Sequence, residues 1–243
     1  MDKRGKVLRV GILGGMGPAA TIRLYQEITD RTPVTREQDH LPLLIDSNPA
    51  TPARTQALLA GGNDPLPELL GSAARLTAAG AQLLAIACNT AHVWYDQIAA
   101  SAAVPVLHLI RTTAQAARER LGSAGKVGIL ATEGTLATGL YQTALAEAAL
   151  EPVLGADQDR SNVMVAIEMV KLGGTDNLRA ATEKALAAAS GLIDAGAACI
   201  ILGCTDLSVI LRDGDLPLPV VDSTVALAER IIAVATGKIP LHA

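Results

Sequence analysis

Two cysteines carry the strongest chemical signal in the chain. Cys88 lies in Ala85-Ile-Ala-Cys88-Asn89-Thr90-Ala91-His92, and Cys204 lies in Ile200-Ile-Leu-Gly203-Cys204-Thr205-Asp206. Each follows an apolar run and precedes short polar residues, the pattern of a strand giving way to a turn or helix. Unpaired backbone N–H groups at such a start favour negative charge, so the position is expected to depress a thiol's pKa. Asn89, Thr90 and Thr205 are types that cap a helix or bind a carboxylate. Two thiols on opposite walls of one cleft suit inversion of a carbon centre. One, as thiolate, removes a proton from the carbon, and the other, as thiol, returns a proton to the opposite face. A single buried cysteine is as readily an inert small hydrophobe. It is the symmetric placement of the pair that favours chemistry. Cys199 has no counterpart in the first half and reads as core.

The elements that must position these cysteines form a pattern. Short runs rich in Val, Ile and Leu (7–13, 41–46, 82–87, 104–109, 126–130, 198–202 and 218–221) alternate with longer Ala/Leu/Glu/Arg segments of helical period. Continuous apolarity fits strands covered on both faces, and helices between them imply parallel β-α-β units. Helices are expected after Pro18, near Asn89-Thr90 and over 176–195. The chain also repeats. Val10-Gly-Ile-Leu13 matches Val127-Gly-Ile-Leu130 at an offset of 117, which Gly17 and Gly134 keep; Gly80-Ala81 matches Gly196-Ala197 at 116, and Pro105-Val106 matches Pro219-Val220 at 114. The expected fold is α/β, with two pseudo-symmetric domains, each a parallel sheet flanked by helices, and an inter-domain cleft outside the carboxyl ends of the strands. The first domain is expected to take residues 1–106 plus 221–243, and the second 107–220.

Further polar groups belong to the same ends. Arg54, in the Pro-rich stretch Ser47-Asn-Pro-Ala-Thr-Pro-Ala-Arg54-Thr55, and Lys171 are also 117 apart. Arg forks onto carboxylates and Lys acts as a point charge, so the pair suits an anionic substrate, although most such cations are solvated. Gly14-Gly15-Met16-Gly17-Pro18 follows the first strand and opens a helix. It formally meets a relaxed dinucleotide fingerprint, but Asp46 stands about 30 positions on, where an acidic residue near 20 is expected, and Pro18 removes an N–H donor. The loop reads instead as one that approaches a small ligand closely. The loop Leu130-Ala-Thr132-Glu-Gly134-Thr135 is its partner, with Thr132 or Thr135 donating a hydrogen bond. Cys88, His92 and Cys204 could make a three-ligand metal set, but no C-x-x-C or H-E-x-x-H accompanies them.

Composition narrows the ligand. The 243 residues are 50% hydrophobic and 18% charged, the balance of a globular protein with a real core, and aromatics are limited to one Trp and three Tyr. Base-stacking surfaces, sugar-stacking clefts and ammonium cages need rings this chain lacks. A net charge of −4 without a basic block gives no support for a nucleic-acid partner. The apolar run in MDKRGKVLRVGILGG is too short for a signal peptide, and no stretch approaches the roughly 18 apolar residues of a membrane span. A cytoplasmic protein with no membrane partner is expected, and the three cysteines are not expected to form a disulfide framework.

Taken together, Gly14-Gly-Met-Gly-Pro-Ala-Ala-Thr21, Ser47-Asn-Pro…Arg54-Thr55, Ala87-Cys-Asn-Thr-Ala-His92, Val170-Lys171-Leu-Gly173 and Leu202-Gly-Cys-Thr-Asp206 resemble the cofactor-independent aspartate/glutamate racemase family over essentially the whole chain. The glycine loop and Arg54 look more like its aspartate branch; the first loop of the glutamate racemases resembles Asp-Ser-Gly. The resemblance implies a homodimer that needs neither pyridoxal phosphate nor metal and acts on a small acidic amino acid. It implies that Cys88 and Cys204 are the catalytic acid/base pair, the second deprotonating the L enantiomer and the first the D. It implies that Asn89, Thr90, Thr132 and Thr205 bind the α-carboxylate and ammonium, and that Arg54 and Lys171 hold the side-chain carboxylate. Met16, Asn48 and Asp206, in the same motifs, and Thr135, in the loop 130–135, are further substrate-binding candidates. Asp206 replaces the Glu often found there and is one methylene shorter, which bears on side-chain preference. The expected activity is interconversion of L- and D-aspartate, with glutamate second. The rivals are a maleate isomerase, hydantoin racemase or arylmalonate decarboxylase of the same superfamily, or a non-catalytic dicarboxylate-binding protein.

Overall fold

The computed structural model describes residues 7–240, so the ends of the expected first domain, 1–6 and 241–243, lie outside the described residues, as does the start of the segment weighed as a signal peptide. The first sheet contains β1 (Val10–Gly14), β2 (Leu43–Ser47), β3 (Leu83–Ile86) and β4 (Val106–Leu107). The second contains β5 (Lys126–Leu130), β6 (Glu151–Val153), β7 (Cys199–Leu202) and β8 (Val220–Asp222). The strand orders are β2-β1-β3-β4 and β6-β5-β7-β8, the same topology twice, with every pairing parallel. Even the register repeats: Val10 pairs with Leu83 as Val127 pairs with Cys199. Among the described residues no helix is long and apolar enough to cross a membrane.

Ten α-helices connect and flank these strands among the described residues: α1 (Pro18–Arg31), α2 (Arg54–Leu59), α3 (Leu66–Ala78), α4 (Tyr95–Ser101), α5 (Leu109–Leu121), α6 (Glu133–Ala137), α7 (Leu140–Glu147), α8 (Asp157–Leu172), α9 (Thr175–Asp194) and α10 (Ser223–Ala235). Alternate residues of each central strand enter different cores, as the period of a strand requires. Val10 and Ile12 join Val127, Ile129 and Ile201 in a central core with residues of α1, α5, α7 and α10, so one face of each sheet meets a shared helical layer. Leu13, Leu84 and Ile86 face α3 and α4. Leu130, Ile200 and Leu202 face α8 and α9. The repeated Val-Gly-Ile-Leu now has a reason. A Cβ on Gly11 would sit 2.7 Å from Leu84 and 3.1 Å from Leu76 of α3; one on Gly128 would sit 2.7 Å from Ile200 and 3.0 Å from Leu192 of α9. Both glycines let a helix lie close on its sheet.

Two expectations need correction, and one strand is unexpected. The strand expected over 104–109 is only Val106–Leu107, because Leu109 already opens α5. No apolar run in the sequence marks β6. It is a three-residue edge strand containing Pro152, and Pro, which lacks an N–H, is tolerated at an edge. The chain after Asn89 is first a 3-10 turn, Thr90–Trp94, and only then α4.

Candidate active site

The two cysteine turns are built alike. The Ala87 N–H donates to Leu13 O at 2.9 Å, and the Gly203 N–H donates to Leu130 O at 2.7 Å, so each turn leaves its sheet bonded to the neighbouring strand's carboxyl end. The turns also touch: the Thr205 hydroxyl donates to Ala87 O at 3.3 Å. Both thiols are buried, at 6% and 7% exposure, and Cys88 is near enough for its charge to bear on Cys204. The third cysteine, Cys199, lies inside β7 in the central core.

Asp206 is the electrostatic centre of the second turn. Its Oδ2 lies 3.8 Å from Cys204 Sγ and 3.7 Å from Lys171 Nζ, and it is 1% exposed. Its Oδ1 is buried without a hydrogen-bond partner, and a Cβ on Gly17 would stand 2.7 Å from that oxygen. Gly17 is glycine because the carboxylate needs the space. Burial raises the Asp206 pKa, with Lys171 and then Arg54 drawing it back. Burial and the adjacent Asp206 carboxylate likewise push the Cys204 thiol up. That reverses the expectation from the helix start: loss of water and a like charge outweigh the backbone dipole at this thiol.

The two cations reach this region by different routes. Lys171 is in the last turn of α8, whereas Arg54 is the first residue of α2 rather than part of a loop. Their shared offset of 117 therefore does not mark equivalent positions. The Arg54 guanidinium donates to Met16 O at 2.9 Å, Pro52 O at 3.0 Å and Thr51 O at 3.2 Å, clamping the glycine loop to the segment before α2. Its buried Nε has no partner. The Met16 side chain packs in the same core as Cys88.

Three hydroxyls form a closed ring beside the first turn. Thr90, Thr132 and Thr135 Oγ1 atoms lie 3.0, 2.8 and 3.0 Å apart pairwise, and Thr132 also caps α6 by accepting from the Thr135 N–H at 3.1 Å. All three residues are buried, and their rotatable O–H groups could turn towards a carboxylate. Two other candidates are committed elsewhere. The Asn89 amide donates to Ser223 Oγ at 3.1 Å and accepts from Tyr141 OH at 2.6 Å. Asn48 donates to Glu68 at 2.8 Å and accepts from the Ala50 N–H at 3.1 Å. Sequence reasoning misses Tyr141 and Ser223 because nothing near them along the chain marks them. His92 has both ring nitrogens on backbone groups, Cys88 O and the Leu109 N–H, so neither is free for a metal.

The class defined by these observations is a duplicated parallel α/β scaffold in which two cysteine turns meet at like strand ends. The family model for Asp/Glu/hydantoin racemases matches residues 13–231. The chain belongs to this family, and it is an amino-acid racemase, an isomerase. The broad specificity amino-acid racemase RacX of Bacillus subtilis is 28% identical over 92% of this chain and 96% of its own. The solved structure of Picrophilus torridus aspartate racemase superposes with a TM-score of 0.84 at 29% identity, covering 94% of each chain. An aspartate racemase homologue from Pyrococcus horikoshii gives a TM-score of 0.72 at 25% identity, over 94% of this chain and 99% of that one.

Proposed function

We propose that the chain interconverts L- and D-aspartate, with glutamate second, by two-base proton transfer at Cα between Cys88 and Cys204. The observation that carries this reading is the contact of the two buried cysteine turns through Thr205 and Ala87. In the reaction one sulfur, as thiolate, takes the Cα proton and becomes a thiol. The opposing thiol gives its proton to the other face of the carbanion and becomes the thiolate. Protons and charge balance between the two sulfurs and the substrate, and this reading assigns the step to side chains alone. Thr90, Thr132 and Thr135 are assigned to the α-carboxylate, and Thr205 to the same end of the substrate. Arg54 and Lys171, against the single Asp206, leave the site with excess positive charge that suits a dicarboxylate.

The test is proton exchange in heavy water. Deuterium should enter Cα of both enantiomers of aspartate, and Cys88→Ala or Cys204→Ala should abolish racemisation. Near-full turnover in either variant overturns the two-thiol mechanism. A broader side-chain range is favoured by one observation: Lys171 is paired with Asp206 and Arg54 gives three of its five N–H groups to carbonyls, so both cations are partly committed before a substrate carboxylate arrives. Equal kcat/KM for aspartate and for a neutral amino acid would select that reading.

The working form is proposed to be a cytoplasmic homodimer. Residues 1–106 with 221–243 are proposed as one unit and 107–220 as the other. The backbone bond from Leu8 N–H to Ala235 O, at 3.0 Å, supports grouping the C-terminal helix with the first unit. A groove of about 1330 Å³ lined by many alanines together with Arg111 and Glu119 offers an apolar surface and both charge signs to an identical copy.

A further inference from the structure

His92 is a buried titratable group that the proton transfer leaves unused, and its bonds single it out. The Leu109 N–H can only donate, and it points at His92 Nε2 at 3.0 Å. Nε2 is therefore the bare acceptor, and the ring proton is on Nδ1, which donates to the carbonyl of Cys88 at 2.8 Å. One neutral imidazole thus ties the backbone of the Cys88 residue itself to the first N–H of α5. The ring has little freedom to turn. Tyr95 stacks on it at 5.9 Å with planes 9° apart, and His108 packs at 5.2 Å. Tyr95 is itself fixed by its hydroxyl, which donates to Val106 O at 2.8 Å. Burial, then the neighbouring His108, hold the His92 pKa down to about 3, so the imidazole stays neutral through the working range.

We propose that His92 is a positioning residue for Cys88: its Nδ1–H fixes the Cys88 carbonyl, and through it the direction in which Cys88 presents its sulfur. The inference rests on the assignment of Cys88 as an acid/base group. A strut of this kind acts mainly on turnover: of the groups assigned to the substrate carboxylates only Thr90 shares its turn, and Thr90 is held separately by Thr132 and Thr135. A displacement of about 1 Å at a reacting group costs on the order of a hundredfold in rate.

Two amides separate the strut's ends. In His92→Asn the amide N–H occupies the place of Nδ1 and keeps the bond to Cys88 O, but the acceptor for Leu109 is lost. In His92→Gln the amide oxygen reaches the place of Nε2 and keeps the Leu109 bond, but the bond to Cys88 is lost. H92Q is expected to lower kcat about 10- to 100-fold with KM within threefold of wild type, and H92N to stay within about fivefold in kcat. Iodoacetamide labelling followed by peptide mass analysis should show the Cys88-to-Cys204 rate ratio shifted in H92Q and preserved in H92N. A role in stability alone would make kcat follow the melting temperature in both variants and leave the ratio unmoved. That result, or equal kcat in H92Q and wild type, overturns the proposal. If H92Q does not fold, H92N decides alone: a loss well beyond fivefold overturns it. Cys88→Ala, measured alongside, keeps the two ideas apart. If C88A retains turnover, the two-thiol reading fails whatever His92 does; if C88A is dead and H92Q is normal, only the strut fails.

Discussion

Replacing Gly17 by Ala isolates the steric fit at the centre of the site. Gly17 has φ −93° and ψ 153°, a region open to any residue, so the test does not depend on a left-handed backbone. The alanine methyl group would stand 2.7 Å from Asp206 Oδ1 and 3.8 Å from Lys171 Cγ. To reach ordinary contact the carboxylate must retreat by roughly 0.7 Å. Asp206 is 1% exposed and its other oxygen faces Cys204 and Lys171, so the retreat passes to the thiol. Overpacking of this kind costs about 1–3 kcal/mol. At about 2–4 °C per kcal/mol for a chain of this size, the melting temperature should fall by roughly 2–12 °C. Scaled from the displacement of about 1 Å that costs a hundredfold, this suggests a kcat loss of roughly 10- to 30-fold. Thermal melts and polarimetric racemisation assays read both effects. The control is Asp206→Ala: without the carboxylate, Gly17→Ala should cost less than about 1 kcal/mol. A Gly17→Ala protein matching wild type in kcat and melting temperature would refute the steric argument, as would an equal penalty with and without Asp206.

Two further outcomes are expected. Tyr141→Phe removes the donor to Asn89 Oδ1 and leaves that oxygen buried and unpaired with no change in ring volume, at a cost of about 1–3 kcal/mol; an unchanged denaturation midpoint would contradict the bond. Acid should destabilise the fold through His92. Its folded pKa, down to about 3, lies below the ordinary 6.5, so the unfolded chain takes up a proton that the folded one refuses. That stability is complete above pH 6.5 and is lost as pH falls towards 3, by at most about 1.4 kcal/mol per pH unit. His108, lowered to about 4 by burial and Arg111, adds a smaller part because it is less buried. Asp206 and Asp222, raised by burial, act in the opposite sense, so the comparison of wild type with His92→Asn isolates the histidine. Equal acid slopes in the two proteins would count against it.

The sequence by itself determined whatever depends on local pattern or on repetition. Continuous apolar runs marked the buried parallel strands, because a strand covered on both faces has no polar side to display. The offsets near 117 carried the duplicated topology, and Gly11 and Gly128 recur because the same helix-on-sheet contact is made twice. The cysteine turns were legible because their polar residues follow strand ends directly. Tertiary structure alone decided what those residues do. Asn89 is claimed by Tyr141 and Ser223, 52 and 134 positions away, and Arg54 by Met16 O, 38 positions away. The short β6 and the switch of Arg54 from loop to helix were beyond reach for a related reason: few local residues mark them, and their partners do. The state of Cys204 shows the limit most plainly. Sequence placed it at a turn start, where backbone dipoles favour the thiolate, but burial and an Asp206 carboxylate folded against it set the opposite sign. Desolvation and Coulomb interactions depend on what surrounds a group in space, and the linear chain does not contain that.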